Sequence, residues 1–279
     1  MSNDSHPVFA QAPQPGTVTL STGTAPTPYT VTAGHGLIIV GHCSAGALAA
    51  AFDGQDVFPV LTEGGQGVLV VFVCDFAEAS HGPHLEFHVT ALAAPVPGAT
   101  VPQDRAAALS ALATQADWGV LSLHLWNDTP DVVAYNSEYL GLNARRCTGF
   151  VKVMQAHLDF SFEDQDGTAL SSGKLRLNRR SDAGLMGRVL RHLGWRGLWD
   201  AIRRRPARAH VINPKSRVMD RNGRALTLTA PDKMIVTGFD AAHDRLEVSG
   251  GILGRYGFKP LIFEHLWPFR FVYVHPDDA

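Results

Sequence analysis

Short apolar runs separated by polar breaks recur along most of the chain, and this pattern predicts a protein built mainly of β-strands. The runs are rich in Val, Ile, Leu and Phe and are bounded by Gly, Pro, Asp or Asn, which is typical of strands. The candidate strands are residues 37–40, 68–74, 85–92, 120–126, 151–162, 169–177, 225–228, 233–237, 246–249 and 270–274.

Helical composition is confined to a few stretches between these runs. The candidate helices are residues 45–52, 105–115, 137–145 and 186–205. Strands and helices do not alternate regularly, which disfavours a doubly wound parallel sheet. The pattern therefore predicts an α+β protein with a large, mostly antiparallel sheet or barrel and peripheral helices.

The segment 1–30 differs from the rest of the chain in composition. It is rich in Pro, Thr, Gly and Gln and shows neither helical nor strand periodicity, so we expect a flexible N-terminal tail. The remaining residues, 31–279, are enough to bury a large core in a chain that is 45% hydrophobic.

Charge and cysteine content narrow the function classes. The formal net charge of −2 provides no basic field to attract nucleic acid. Three cysteines without a C-x-x-C pair argue against a disulfide framework and a zinc knuckle. No apolar stretch is long enough to span a bilayer, and no secretion signal is recognisable. We therefore expect a cytoplasmic protein.

A segment that ends in Lys152 is the first candidate for chemistry. Residues 144–153 are Ala-Arg-Arg-Cys-Thr-Gly-Phe-Val-Lys-Val. Without a gap, four positions match the signature G-R-E-x-W-G-F-P-K-K of acetoacetate decarboxylases: Arg145, Gly149, Phe150 and Lys152. The segment thus resembles the lysine site of that family. The resemblance implies that Lys152 forms an imine with a substrate ketone and that Arg145 and Phe150 contact the substrate.

Imine formation sets a physical requirement on Lys152. An amine attacks a carbonyl only when unprotonated, so burial or a neighbouring cation must lower its pKa; acetoacetate decarboxylase is itself a known case. The second lysine of the signature is replaced by Val153, so desolvation would have to activate Lys152 alone. The alternative is an ordinary exposed lysine on an edge strand.

A second match lies upstream, on a strand with alternating polar residues. Gly82, Pro83 and Glu86 fit the family's G-P-Y-x-E segment, whose glutamate points into the cavity beside the lysine. Strand periodicity places His84, Glu86 and His88 on one face. Three interpretations remain open: an acid/base group near an imine with histidines that contact the substrate, a His-Glu-His metal site, or a solvent-facing row.

Three positions depart from the family pattern. His42 stands where the family has a carboxylate-binding arginine, Val71 where it has a further glutamate, and Val153 where it has a second lysine. Imidazole cannot hold a carboxylate in the bidentate manner of a guanidinium. Acetoacetate itself is therefore not the expected substrate, and His42 is assigned a substrate-binding role only by its alignment.

The resemblance extends over residues 37–274 and implies further properties. It predicts one domain over residues 31–279, a cone-like β-barrel or large curved sheet that encloses a cavity, assembly into homo-oligomers, and chemistry without a metal or organic cofactor. The implied function is that of a lyase-type enzyme in which Lys152 forms a Schiff base with a keto acid or ketone and Glu86 moves a proton. The alternative is a non-catalytic barrel that binds an apolar ligand or a membrane surface.

A basic amphipathic segment at 185–205 is the remaining candidate. Apolar residues recur there at helical spacing among several arginines, which is compatible with peripheral membrane contact. Gly194 and Gly197 interrupt the pattern. We favour a surface helix that packs on the sheet or an oligomer contact.

Overall fold

The computed structural model describes residues 6–104, 106–203 and 207–278. Strands dominate and helices are few, so the predicted α+β class is confirmed. The strands are β1 (Gly16–Leu20), β2 (Gly23–Thr27), β3 (Tyr29–Cys43), β4 (Phe58–Pro59), β5 (Leu61–Thr62), β6 (Gly67–Ala79), β7 (His84–Ala94), β8 (Thr100–Val101), β9 (Gly119–Asn127), β10 (Ala144–Val153), β11 (His157–Asp164), β12 (Ala169–Arg176), β13 (Ala207–Asn213), β14 (Gly223–Thr229), β15 (Lys233–Gly238), β16 (Arg245–Glu247), β17 (Lys259–Trp267) and β18 (Phe271–Val274). The helices are α1 (Ala45–Ala51), α2 (Ala107–Thr114), α3 (Pro130–Ala134), α4 (Ala183–Arg203) and α5 (Ile252–Arg255), with a π-helical turn at Tyr135–Tyr139 and 3-10 turns at Phe9–Gln11 and Pro276–Asp278.

Seven strands pair in a circuit around the interior of the fold. β3 pairs with β6, β6 with β7 and β7 with β9, all antiparallel. β9 pairs in parallel with β13, and antiparallel pairs join β13 to β14, β14 to β18 and β18 back to β3. β17 also pairs with β3, and β15 pairs with β17. The large sheet is therefore mixed, with antiparallel pairs in the majority.

The two faces of these strands belong to different apolar clusters. We call one of them the interior cluster; it includes Tyr29, Val70, Cys74, Leu125 and Tyr273. On β18, Tyr273 lies in this interior cluster, whereas Val272 packs outward with Val8. On β6, Cys74 belongs to the interior cluster and Val73 to an outer one. Because side chains alternate along a strand, the even-numbered residues of β6 and β7 point into the circuit.

An outer layer covers part of the circuit. β10, β11, β12 and β16 form an antiparallel array. Phe162 on β11 stacks on Phe87 of β7, with ring centroids 5.4 Å apart. This layer buries the odd-numbered face of β7, and so leaves the even-numbered face for the interior.

The basic segment 185–205 lies mostly within α4, where side chains are described up to Gly194. Leu185, Met186 and Val189 pack against the interior cluster, which agrees with the favoured interpretation of a helix packed on the sheet. Gly194 interrupts the helix with φ 62° and ψ 176°. Residues 204 and 205 lie outside the described residues, and no described helix is long and apolar enough to cross a membrane.

Two sequence predictions need correction around Lys152. The predicted strand 151–162 is a hairpin, in which β10 ends at Val153 and β11 begins at His157. The predicted helix 137–145 is a short π-helical turn, and β10 already starts at Ala144. Most of β10 therefore pairs with β11 in the outer layer, because only Ala144–Arg146 pair with β9.

The segment 1–30 also differs from the expectation. It contains the antiparallel hairpin of β1 and β2, and Leu20 and Ala25 are buried in the interior cluster. The expectation that this segment lacks regular structure was therefore wrong for these two strands. Alternating Thr and Val with a glycine at the turn supports the hairpin, although the Pro- and Thr-rich composition obscured it.

Candidate active site

Glu86 lies near the start of β7 and faces the interior of the circuit. Its Oε2 accepts a hydrogen bond from Asn127 Nδ2 at 3.2 Å. The Oδ1 atom of Asn127 in turn accepts from Asn136 Nδ2 at 2.9 Å. Both asparagines are buried. The amide of Asn127 is thus oriented with its donor toward Glu86.

Burial changes the chemistry of this carboxyl group. The Glu86 side chain is only 13% exposed, and no arginine or lysine among the described residues pairs with it. Burial raises the pKa of Glu86 to about 7, against the opposing effect of the Asn127 hydrogen bond. A carboxyl group with this pKa can accept or donate a proton near neutral pH.

His88 lies two residues farther along the same face of β7. Its Nε2 is 2.8 Å from Ser122 Oγ, and its Nδ1 is 3.9 Å from Glu86 Oε1. Burial lowers the pKa of His88 to about 3, so the ring is neutral at pH 7. The 3.9 Å separation from Glu86 is therefore one between a neutral imidazole and a carboxyl group, not an ion pair.

His84 orients a tyrosine beside Glu86. Its Nδ1 donates to the carbonyl oxygen of Gly82 at 2.8 Å, so its Nε2 is left to accept the hydrogen bond from the Tyr29 hydroxyl. Burial raises the pKa of Tyr29, and the charge of Glu86 raises it further. Tyr29 and His84 thus form a buried pair next to the carboxyl group.

A second tyrosine approaches Glu86 from the opposite wall of the circuit. Tyr273 lies on β18, which is separated from β7 by β3 and β6 in the sheet. Burial raises the pKa of Tyr273, and Glu86 contributes to that rise. The Tyr273 hydroxyl donates to Asn213 Oδ1 at 2.6 Å. The two walls therefore meet in one polar cluster around Glu86.

Lys152 is not part of this cluster. Its side chain is exposed, with Nζ 4.8 Å from the centroid of the Phe150 ring. Arg146 is paired with Asn127, which is paired with Glu86, and Lys152 lies six residues beyond Arg146 on β10. At ~3.3 Å per residue this corresponds to roughly 20 Å along the strand. Lys152 is therefore neither buried nor close to Glu86 in this structure.

No other lysine replaces it. Each of the five lysines of the sequence is exposed or partly exposed, and all lie in the described part of the chain. They are Lys152, Lys174, Lys215, Lys233 and Lys259. A buried amine beside Glu86 is therefore absent from the described residues.

The remaining predicted residues are divided between different places. His84 and His88 lie with Glu86, and their burial excludes a solvent-facing row. His42 is partly exposed and pairs with Val68, six residues along β6 from the Glu86 partner Cys74. Arg145 and Phe150 are exposed on β10, away from the cluster.

The fold accounts for the apolar residues Val71 and Val153, which stand where the family has charged residues. Val71 belongs to the outer cluster and not to the interior one, so a glutamate there would not face Glu86. Val153 ends β10 and is exposed. Neither position could place a charged group in the cluster around Glu86.

The motifs and periodicity of the sequence did not identify four polar residues of the interior: Tyr29, Asn127, Asn136 and Tyr273. Asn127 follows the predicted strand 120–126 by one residue, and nothing in its sequence context marks it. Tyr29 precedes the predicted start of the fold. Cross-strand pairing, which the sequence does not reveal, brings these residues to Glu86.

The arrangement of these side chains does not favour a metal centre. Within the described ranges, no group of three or more His, Cys, Asp or Glu side chains is placed to bind an ion. His84 uses both ring nitrogens in hydrogen bonds, and His88 uses Nε2. What these side chains offer chemically is a carboxyl group that can exchange a proton near neutral pH.

Three solved structures, two of acetoacetate decarboxylases and one of a biosynthetic enzyme, share this fold. One acetoacetate decarboxylase is 11% identical, with 89% of this chain and 87% of that chain covered and a TM-score of 0.54. The acetoacetate decarboxylase of Legionella pneumophila is 12% identical, with 98% of both chains covered and a TM-score of 0.53. The enduracididine biosynthesis enzyme MppR, solved with pyruvate, is 9% identical, with 88% of this chain and 87% of that chain covered and a TM-score of 0.53.

These likenesses establish the fold class. The chain has the acetoacetate decarboxylase-like fold, as the resemblance around Glu86 and Lys152 predicted. No protein-family model and no curated protein matches the sequence.

Proposed function

We propose that the chain is a lyase-type enzyme that binds a small keto compound inside the strand circuit and uses Glu86 to transfer a proton. The supporting observation is the interior carboxyl group of Glu86, with its pKa raised to about 7 and one oxygen held by Asn127. As a base, Glu86 takes a proton from the carbon next to the carbonyl, and the C–H electron pair delocalises into the carbonyl to give an enolate. The proton returns in the reverse step.

This step is common to several reactions of keto compounds. Protonation of an enolate completes a decarboxylation, and formation of an enolate begins an aldol addition. The related structures include acetoacetate decarboxylases and an enzyme solved with pyruvate, which agrees with a keto substrate. The proposal does not require Lys152 to act in the same site.

Exchange with solvent deuterium tests the proposal directly. Acetone, butan-2-one and pyruvate are incubated with the protein in deuterium oxide, and loss of the α-proton signals is followed by NMR. We expect catalysed exchange with at least one compound and a loss of roughly 10²–10⁴-fold in Glu86→Gln. Glu163→Gln is the matched control, because Glu163 is an exposed carboxylate of the outer layer. Equal exchange by wild type and Glu86→Gln would refute the proposal.

The imine at Lys152 stays a prediction of the sequence and has its own test. The protein is incubated with each keto compound, reduced with borohydride and weighed intact by mass spectrometry. A gain in mass that disappears in Lys152→Ala would establish an imine at the surface beside Phe150. Binding of a compound without exchange and without a mass gain would instead favour the non-catalytic, ligand-binding alternative.

A further inference from the structure

Glu264 is a second carboxyl group that faces the interior and has no assigned role. It lies in the middle of β17, between Ile262 and Leu266, which both belong to the interior cluster. Its partners across the sheet are Ile38 on β3 and Val236 on β15. No hydrogen bond or ion pair to Glu264 exists among the described residues.

Accessible surface remains beside this carboxyl group, which is itself only partly buried. Ile38 and Phe72 lie in the middle of their strands and face the interior, yet both are only partly buried. Their neighbours on the opposite face, such as Leu37 and Val71, are fully buried. The accessible surface of Ile38 and Phe72 is therefore inside the circuit.

Strand pairing places this space between Glu264 and the cluster around Glu86. His88 pairs with Phe72, Phe72 with Ile38, and Ile38 with Glu264. Three strand spacings of ~4.8 Å give a path of about 14 Å along the curved sheet. Glu264 therefore lines the same interior, away from Glu86.

None of the charged groups described on adjacent elements neutralises Glu264. His265 is its neighbour in sequence and points to the opposite face, where its Nε2 is 3.2 Å from His35 Nδ1. On α4, Arg188 and His192 pair with Asp104, at 3.4 and 3.2 Å. The residues that pair with Glu264 or flank it on the same face are the apolar Ile38, Val236, Ile262 and Leu266.

An ionised carboxyl group without a partner is costly in such surroundings. Burial raises the pKa of Glu264 to about 7, and no hydrogen bond opposes the rise. A ligand with a cationic nitrogen would favour the ionised form and replace the missing partner. A ligand carboxylate would meet a like charge, and among the residues that the structure describes no arginine or lysine pairs with either Glu86 or Glu264.

We infer that Glu264 binds a cationic nitrogen of the interior ligand, so that the substrate class is a keto compound with an amino or related cationic group rather than a simple keto acid. The link to a keto compound rests on the proposed function. The cation-binding role of Glu264 depends only on the geometry of β3, β15 and β17.

Binding of small probes tests this role without requiring turnover. Ligand-observed NMR titrations at about pH 7.5 compare butylammonium, butan-1-ol and butanoate, which share a four-carbon chain. We expect wild type and the control Glu163→Gln to bind butylammonium at least ~10-fold more tightly than butan-1-ol, and butanoate most weakly. The isosteric Glu264→Gln should bind butylammonium and butan-1-ol equally. Equal binding by wild type, or a preference that survives in Glu264→Gln, would overturn the inference.

A pH series on Glu86→Gln adds to this test, because Glu86, whose pKa is also raised to about 7, then no longer titrates. At about pH 5.5 Glu264 is protonated, so the preference of this variant for butylammonium should be lost, whereas its persistence would count against the inference. The exchange experiment is independent of both titrations. Unchanged exchange in Glu86→Gln would refute the proposed function and leave the cation preference of Glu264 standing. Conversely, loss of exchange in Glu86→Gln, together with a butylammonium preference that survives in Glu264→Gln, would support the proposed function and refute the inference.

Discussion

The side chain of Asn127 donates a hydrogen bond to Glu86 at 3.2 Å, across the antiparallel pair of β9 and β7. This bond favours the ionised form of Glu86, while burial favours the neutral form. Burial has the larger effect, and the pKa is raised to about 7. The reactivity of Glu86 therefore depends on the balance between its apolar surroundings and one amide.

The pH dependence of exchange follows from this balance. Glu86 takes a proton only when it is ionised, so the exchange rate should rise about tenfold per pH unit below pH 7 and level off above it. Rates measured by NMR between about pH 5 and pH 9 give the profile. A rate that falls as the pH rises through 7 would mean that Glu86 acts as an acid and not as a base.

Replacement of Asn127 by Leu should move this profile. Without the amide donor the carboxylate is less stable, so the pKa of Glu86 rises and the rising limb shifts to higher pH by about 1 unit. The profile of Asn178→Leu serves as the control, because Asn178 donates to Thr237 Oγ1 at 3.3 Å on a different part of the sheet. An unshifted limb in Asn127→Leu would show that this hydrogen bond does not tune Glu86.

The partly buried carboxyl group of Glu264 should lower stability at high pH. Its pKa is raised from 4.5 to about 7, so the folded state binds the proton more tightly than the unfolded chain. Below about pH 4.5 both states are protonated; as the pH rises to 7 stability is lost, by roughly 3 kcal/mol for a shift of this size. Glu264→Gln should therefore be more stable than wild type at pH 8 and similar at pH 4.5.

Urea denaturation at the two pH values measures this difference. Glu163→Gln is the control, because an exposed carboxylate should change the free energy of unfolding by less than about 0.5 kcal/mol at either pH. If Glu264→Gln and wild type lose stability equally between pH 4.5 and pH 8, another group causes the loss. That result would remove the energetic reason for a bound cation.

The sequence predicted the strand on which Glu86 lies and the face that it shares with His84 and His88. This succeeded because β7 is a long strand with regular alternation, and its face is set by period two. The position of Lys152 could not be obtained in the same way. β10 pairs with β9 for three residues and then with β11, and the change of partner depends on tertiary packing.

Glu264 was missed because its strand was missed. β17 contains an apolar run that Glu264 and His265 interrupt, and this pair of polar residues breaks the pattern by which strands are recognised. Neither strand propensity nor hydrophobic periodicity predicts a polar residue on the interior face of a strand. Such exceptions to local rules are expected mainly at functional sites, which is a further reason to test Glu264.

The hydrogen bond between Tyr29 and His84 yields a last prediction, on stability. In Tyr29→Phe the buried Nε2 of His84 loses its only donor, because Nδ1 is already bound to Gly82. The free energy of unfolding should fall by about 1–3 kcal/mol, measured by urea denaturation at pH 7. Tyr139→Phe is the control, because none of the hydrogen bonds among the described residues involves the hydroxyl of the partly exposed Tyr139, so the loss should be below about 0.5 kcal/mol. Equal losses in the two variants would show that His84 does not depend on Tyr29.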